Sequence, residues 1–558
     1  MSVVLRFARA VYNARKSRVE PRPGALRAAG EADQTLHAAR ACSAGQQLTE
    51  DQHPSTSRRE DDKMSFMPKD RLRSRSRFAR AWHTAAIALV VVAFGAAASA
   101  AAAAEVNIVR QGTPPAKIPA KTHYYKTIQA AVNVSKSGDW VLIEPGVYYE
   151  QVKVTSAQSG IWIRGMNRNT VILDGQNKPG NGIEIYKANN VWVENLTARN
   201  FDTGSCESQS CGNEIWWNGG AGSGKIGAHG WYGSYLTAYD TGLNGSYGIF
   251  TNNEIEGSWD HIYASGFNDS GIYVGACQEC KARITGATME NNALGYSGSN
   301  SGGKLAIEWS LFRRNSAGVV PNSENPGDAP PPQDGECNRP ETPSTPTPTI
   351  SSTKIPRCSI IRYNLITENN NTTVPVNETT ARAGLGVGVI LPGDYADLVE
   401  QNLISNNSND GVFGIEYPNP FTPENGFKGT IFFQLAGNRI SNNVFLHNGY
   451  HGGPFTGDVT LASGASEIFL GKESQSKNNC VSGNLFTGAT FPPKIQGKWG
   501  CQNNTTPNPG GAPAAYEYIL AAAEEAAAIR RPVGQPAPPP QPTMPNPCTG
   551  VPKNPLCR

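Results

Sequence analysis

The sequence predicts an all-β chain wound as a single-stranded, right-handed parallel β-helix solenoid, and three observations predict it. The first is a repeat. Gly248, Gly271, Gly295 and Gly318 follow one another at intervals of 23, 24 and 23 residues. Asn268, Asn292 and Asn315 each stand three residues before the last three of these glycines. Upstream, "ITGATMENN" (284–292) and "IEWSLFRRN" (307–315) match position for position in Ile, a bulky apolar residue and Asn. The second observation is the grammar of one period: two or three short runs of β-type residues punctuated by Asn and Gly, with no apolar spacing of helical length. The third is what the period excludes. A leucine-rich repeat needs its Leu/Asn frame, and a propeller blade needs four strands and nearly double the length. One solenoid coil per repeat fits, each coil unable to bury its core face alone. Strands of adjacent coils lie about 4.8 Å apart. Recurring Asn can therefore form amide ladders, and recurring Ile, Val and Phe an internal stack. The right hand follows from the handedness of parallel crossovers.

Taken in order, the chain opens with an address. Residues 1–66 are expected to be disordered and to stem from a start codon placed too far upstream, since Met64 or Met67 would position the basic "RLRSRSRFAR" (71–80) normally. The segment 67–104 reads as a secretory signal: the basic region is followed by "AAIALVVVAFGAAASAAAAA" (85–104), with cleavage near Ala98-Ser99-Ala100 or Ala102 to Ala104. A single membrane anchor is the alternative, because the run is just long enough to span. Beyond Cys42, ten cysteines form close neighbour pairs: Cys206/Cys211, Cys277/Cys280, Cys337/Cys358, Cys480/Cys501 and Cys548/Cys557. An even count after a signal reads as disulfides in an oxidising compartment. Cys277 and Cys280 could alternatively form a redox or half-zinc motif, but no second CxxC, His pair or thioredoxin-like surroundings complete one.

The solenoid is expected over 105–505. In "YKTIQAAVNVSKSG" (125–138), Ile128, Ala131 and Val132 have helical spacing, so a short amphipathic helix should cover the open apolar end of the first coil. "GDWVLIEPGVYYEQVKV" (138–154) makes strands of an early coil that turn a corner at Pro145-Gly146. Further coils are visible at 181–201, 360–370, 387–417, 437–450 and 478–488. Between residues 321 and 357 the pattern breaks into a Pro-rich loop excursion, tethered at its base by Cys337 and Cys358. Residues 506–558 form a Gly/Pro linker, a helix at "AAYEYILAAAEEAAAIRR" (514–531) and a Pro-rich tail.

Charge narrows the function. Residues 1–80 hold 17 Lys and Arg against 9 Asp and Glu, which leaves the main body mildly acidic. That argues against a nucleic-acid footprint and gives no basic stripe for a membrane surface. Membrane association is expected only if the signal stays uncleaved. "GGAGSGK" (219–225) satisfies Gly-x4-Gly-Lys, but Ile226 stands where a nucleotide-binding loop needs Ser or Thr for magnesium, so no nucleotide partner is expected.

With its "YKTIQAAV" (125–132) and "GDWVLIEPGVYYEQV" (138–152) opening, the chain resembles the right-handed parallel β-helix, pectin lyase-like superfamily over about residues 123–500. More narrowly it is similar to secreted bacterial right-handed β-helix repeat proteins. The resemblance implies the fold. It does not choose an activity, because the superfamily hosts pectate lyases, polygalacturonases, pectin esterases, uronate epimerases and non-catalytic adhesins. "GVYYE" (146–150) is similar to a pectin methylesterase motif, but the paired catalytic-aspartate motifs are missing. "GAHG" (227–230) is similar to the Gly-His-Gly of polygalacturonases, without the Asp pair or Arg-x-Lys. "SWDHIY" (258–263) is similar to a pectate lyase segment, without the Arg-bearing motif.

Candidate residues follow from the chemistry a glycan requires. Trp216, Trp217, Trp231, Tyr232, Tyr235 and Tyr239 concentrate within 214–240, read as one excursion whose rings could stack on sugar faces or pack the loop onto the barrel wall. Asp260 and His261 are the acid–base candidates, with Glu308, like His261, ten residues before its turn glycine and so expected in the same column two coils away. At a uronate, a base takes the proton α to the carboxylate while a cation neutralises that carboxylate. Glu290 and Arg313 should form a cross-coil ion pair, with Arg314 pointing to the opposite face. Lys304, Tyr263 and Tyr273 are possible helpers. No cofactor is expected; calcium shared between coils by carboxylates is the one possible metal. Two classes stay open: a secreted or cell-surface module that binds a polysaccharide or surface glycan, and a lyase- or epimerase-like enzyme acting on an acidic polysaccharide.

Overall fold

Each period makes three short strands that meet at sharp corners, and each strand pairs in parallel with its counterpart one coil away. A computed structural model describes residues 104–204, 210–220, 225–277, 279–323, 358–377, 384–418, 432–462, 476–501, 525–526 and 528–558. These residues form three long parallel sheets of thirteen, ten and eleven strands, the architecture of a parallel β-helix. One coil runs Ser258–Asp260 in the first sheet, Tyr263–Ser265 in the second and Ser270–Gly275 in the third. The next runs Ala282–Thr285, Thr288–Glu290 and Leu294–Ser299. The corner at Pro145-Gly146 separates Trp140–Ile143 of the first sheet from Gly146–Tyr148 of the second. The segments expected at 1–66 and 67–104, Ala104 apart, and residues 324–357 of the excursion expected at 321–357 lie outside the described residues, while Pro321 and Asn322 still belong to the third-sheet strand Ala317–Asn322.

Two devices hold coil on coil. The first is the glycine column. Gly248, Gly271, Gly295 and Gly318 stand in register on the third sheet, and Gly388 and Gly411 continue the column. A Cβ on Gly295 would lie 2.6 Å from the Gly318 carbonyl oxygen, and one on Gly388 2.6 Å from that of Gly411. Backbone therefore approaches where a side chain would stand. The second device is the asparagine ladder. Asn292, Asn315, Asn369, Asn407 and Asn448 pass an amide hydrogen bond from coil to coil, each Nδ2 donating to the next Oδ1 at 3.0–3.1 Å. A second ladder joins Asn364, Asn402, Asn443 and Asn484 at the first corner. All of these amides are buried.

The helix Ile128–Val134 forms where its spacing predicted, with Ile128, Ala131 and Val132 buried. Thr127 caps it by accepting from the Ala130 amide, and the Glu150 carboxylate accepts from the amides of Ile128 and Gln129. Disulfides join Cys277 to Cys280, Cys480 to Cys501 and Cys548 to Cys557. Cys211 and Cys358 are also disulfide-bonded, while Cys206 and Cys337 lie outside the described residues. Most of the helix expected at 514–531 is likewise outside them, although 525–526 and 528–529 are helical.

The Pro-rich tail lies against the solenoid. The amides of Arg531 and Val533 donate to the carbonyls of Thr372 and Thr373. Gln541 and Asn169 exchange two hydrogen bonds, and Asn195 Oδ1 accepts from Thr543 Oγ1 and the Met544 amide. Arg164 Nη1 donates to the carbonyls of Pro547 and Thr549. The loop closed by Cys548 and Cys557 packs on Val106, Ile108, Trp140 and Leu142 of the first coils.

Glu214, Glu254, Asp394 and Asp410 are buried carboxyls, and desolvation pushes the pKa of each well above the usual range. Neither oxygen of Glu254 has a hydrogen-bond partner among the described residues. The folded state keeps these protons where the unfolded chain has released them, at about pH 4 and above. Their stabilising effect is therefore present at low pH and is lost as pH rises through the raised values. A higher melting temperature at pH 5 than at pH 8 is expected, and Glu254→Gln should narrow the difference. Equal melting temperatures in scanning calorimetry would contradict this.

Candidate functional site

The segment 214–240 is not one excursion. Asn213–Asn218 belongs to the third sheet, Trp231–Ser234 to the first and Thr237–Tyr239 to the second. Strand alternation decides where each ring goes. Trp217 and Trp231 point inward and are fully buried in the core, so the reading of these two as sugar platforms is corrected. Trp216 faces outward, but Phe250 stacks on it at 5.1 Å and its Nε1 donates to Asn252 Oδ1. Tyr232 ends a ladder on the outer face of the first sheet: Trp140, Trp162, Trp192 and Tyr232 stack at 4.8, 4.3 and 4.7 Å. Tyr239 is buried and accepts a hydrogen bond from Arg199, which also pairs with Asp174. Tyr235 alone of the group reaches an open corner.

The acid–base column also needs correction. Asp260, Thr285 and Glu308 are in register, so Glu308 shares its column with Asp260 and not with His261. Counting back from the glycines slipped by one because the turn from second to third sheet has four residues, 266–269, in one coil and three, 291–293, in the next. Glu308 is only 2% exposed, held by Arg283 Nε at 2.8 Å and Arg362 Nε at 2.5 Å. Asp260 and His261 remain together at the surface, Oδ2 to Nδ1 at 2.6 Å. Glu290 and Arg313 form the expected cross-coil pair at 2.7 Å, with the Tyr263 hydroxyl donating to Glu290. Arg314 turns away to Glu368. Lys304 lies 3.9 Å from Glu279, and Tyr273 packs edge-on against Phe250.

Sequence reasoning missed the corner column. From Asn195 onward, each described coil passes from first to second sheet through one residue in the left-handed conformation. These include, in successive coils, Tyr235, His261, Gly286, Trp309 and Tyr363, with φ between 50° and 62°. Tyr235 and His261 stack at 4.7 Å with planes 9° apart, and Trp309 and Tyr363 at 4.6 Å with planes 20° apart. Trp309 is 62% exposed. Gly286 stands between the two pairs without a side chain, and a Cβ there would have no neighbour nearer than 3.5 Å. Two coils separate His261 from Trp309, roughly 9.5 Å at the strand spacing. Each ring of a stacked pair has one covered face, so the open faces of His261 and Trp309 confront each other across a gap floored by Gly286 and flanked by Asp260. The available signal was an aromatic or His directly after four first-sheet strands, as in "SWDH" (258–261) and "IIRY" (360–363).

Among the described residues, no group of three or more His, Cys, Asp or Glu side chains could hold a metal ion. Residues 221–224 of the Gly-rich "GGAGSGK" lie outside the described residues. The sequence matches no protein-family model and no curated protein. Among solved structures the chain is similar to a Yersinia enterocolitica family 28 exopolygalacturonase, at 10% identity over 68% of this chain and 71% of that one, with a TM-score of 0.38. It is also similar to the A-module of an Azotobacter vinelandii mannuronan C-5 epimerase, at 11% identity over 64% and 90%, with a TM-score of 0.36. Pectate lyase Pel9A aligns at 14% identity over 62% and 77%, with a TM-score of 0.31. It is the chain's own three parallel sheets, coil stacked on coil, that make it a parallel β-helix protein.

Proposed function

We propose that this is a secreted or cell-surface solenoid that binds a polysaccharide or surface glycan along the corner between its first and second sheets. One observation carries the reading: two stacked ring pairs, whose facing members His261 and Trp309 are exposed, stand on either side of a corner that has no side chain at Gly286. Such faces suit the C–H side of a sugar ring, and flanking polar groups can fix its orientation. Export is supported by the signal-like segment and by disulfides, which persist in oxidising compartments.

Losing one stacking face of roughly 0.5–1.5 kcal/mol weakens binding about 2- to 12-fold. Trp309→Ala should reduce glycan affinity by that factor, measured by calorimetry on residues 105–558 with and without calcium, while leaving the melting temperature unchanged. Unchanged affinity would remove the corner from the reading. The Asp260–His261 hydrogen bond favours a second reading, a lyase or epimerase acting on an acidic polysaccharide. New ultraviolet absorbance from an unsaturated uronate, abolished by Asp260→Ala, would support lyase action. Arg362, in the same column as Asp260, and Arg283, beside it, are already engaged by Glu308, which weakens this reading because uronate chemistry needs a free cation.

A further inference from the structure

We infer that the gap over Gly286 is a subsite for a single neutral sugar ring, selected against uronates; this rests on the glycan-binding reading above. Size is the first argument. A ring held between two aromatic faces needs two contacts of 3.5–4.0 Å, about 7–8 Å in all. Two coil spacings give roughly 9.5 Å, enough for one ring with a modest tilt and too little for two. The second argument is the missing side chain. The corner conformation carries Tyr, His and Trp at 235, 261 and 309, so glycine at 286 is not demanded by the backbone there. What Gly286 provides is the space.

Charge is the third argument. Asp260 Oδ2 is hydrogen-bonded to His261 Nδ1, while Asp260 Oδ1 lies 3.7 Å from the place a Cβ on Gly286 would occupy, at the floor of the gap. A carboxylate oxygen accepts hydrogen bonds from sugar hydroxyls and repels a sugar carboxylate. Arg168, whose Nη1 reaches the His261 carbonyl, spends its other hydrogen bonds on Thr237 Oγ1 and the Leu236 and Pro542 carbonyls, and the other guanidinium groups near this corner are engaged as well. Arg283 and Arg362 both hold Glu308, Arg362 also approaches Glu400, and Arg314 pairs with Glu368. A uronate would have to compete with a nearly buried Glu308 for its arginines.

The test uses residues 105–558 and oligosaccharides of equal length, neutral (gluco-, xylo- and galacto-configured) and uronic (galacturonate and mannuronate), in calorimetric titrations. Wild type should bind its best neutral ligand at least about tenfold more tightly than any uronate. Asp260→Asn should narrow that ratio by improving uronate binding. Gly286→Trp fills the gap with a residue the corner already accepts, and should abolish neutral binding at an unchanged melting temperature. If no glycan binds, or Trp309→Ala has no effect, the glycan-binding corner itself fails. If binding depends on Trp309 but uronates bind equally or better, only the neutral selection is overturned. If Gly286→Trp leaves neutral affinity intact, the gap is not the subsite.

Discussion

Asn402→Leu is expected to cost about 3–6 kcal/mol of stability, a large fraction of what a folded domain possesses. Asn402 Oδ1 accepts from both the backbone amide and Nδ2 of Asn364, at 3.0 and 3.1 Å. Its own Nδ2 donates to the Ile361 carbonyl and to Asn443 Oδ1. Leucine has nearly the same volume, so no large cavity opens; the loss comes from buried groups left without partners. The Asn364 amide, one Asn364 side-chain hydrogen and the Ile361 carbonyl each carry a desolvation penalty of about 1–3 kcal/mol. Because the ladder runs on through Asn443 and Asn484, the defect sits inside the stack, where fraying of a terminal coil cannot relieve it. Asn133→Ala, at an exposed position, should change stability by less than about 0.5 kcal/mol. Urea unfolding of the two variants checks the contrast, and a loss under 1 kcal/mol for Asn402→Leu would refute the ladder's role.

The ladders also show what the sequence could disclose. Asn292 and Asn315 were readable because they repeat at a fixed distance from Gly295 and Gly318. Asn268 obeys the same count yet donates to the Leu243 carbonyl instead. The extra residue at Gly266 lengthens its turn, and one residue shifts a side chain off the ladder. The Asn364 ladder was illegible because its coil follows the Pro-rich excursion, which breaks the count. Strand direction was legible, but facing was not. A cluster of aromatics between 214 and 240 carries no mark of where the corners fall, and two of its tryptophans belong to the core. Tyr235, His261, Trp309 and Tyr363 become one column only once the register is known, since Gly286 interrupts the aromatic pattern at the coil where the gap opens. The tail was opaque for a different reason: proline has no apolar period to reveal a docked face.

Ending the chain after Arg531 is expected to destabilise the first coils by about 3–6 kcal/mol. Trp140, Val106, Ile108 and Leu142 would lose the cover of the Cys548–Cys557 loop, and burying such side chains is worth roughly 1.5–3 kcal/mol each. The entropy of ordering the tail offsets much of that gain in the intact protein. Polar contacts add to the loss. Arg168 is 2% exposed, and desolvation works against its charge, pulling its pKa down. It donates to Thr237 Oγ1 and to the carbonyls of Leu236, His261 and Pro542. Removing Pro542 deprives a buried guanidinium of one acceptor, and Arg164 loses two with Pro547 and Thr549. Hydrogen bonds to charged groups are worth about 1.5–3 kcal/mol. Amide exchange should therefore rise in 106–109, 140–143 and 162–165 while the coils beyond 387 keep their protection. An oxidised peptide of residues 532–558 added in trans should restore both protection and melting temperature, because a ligand that binds only the folded state stabilises it. Unchanged exchange in the first coils would mean that the tail rests on the solenoid without holding it.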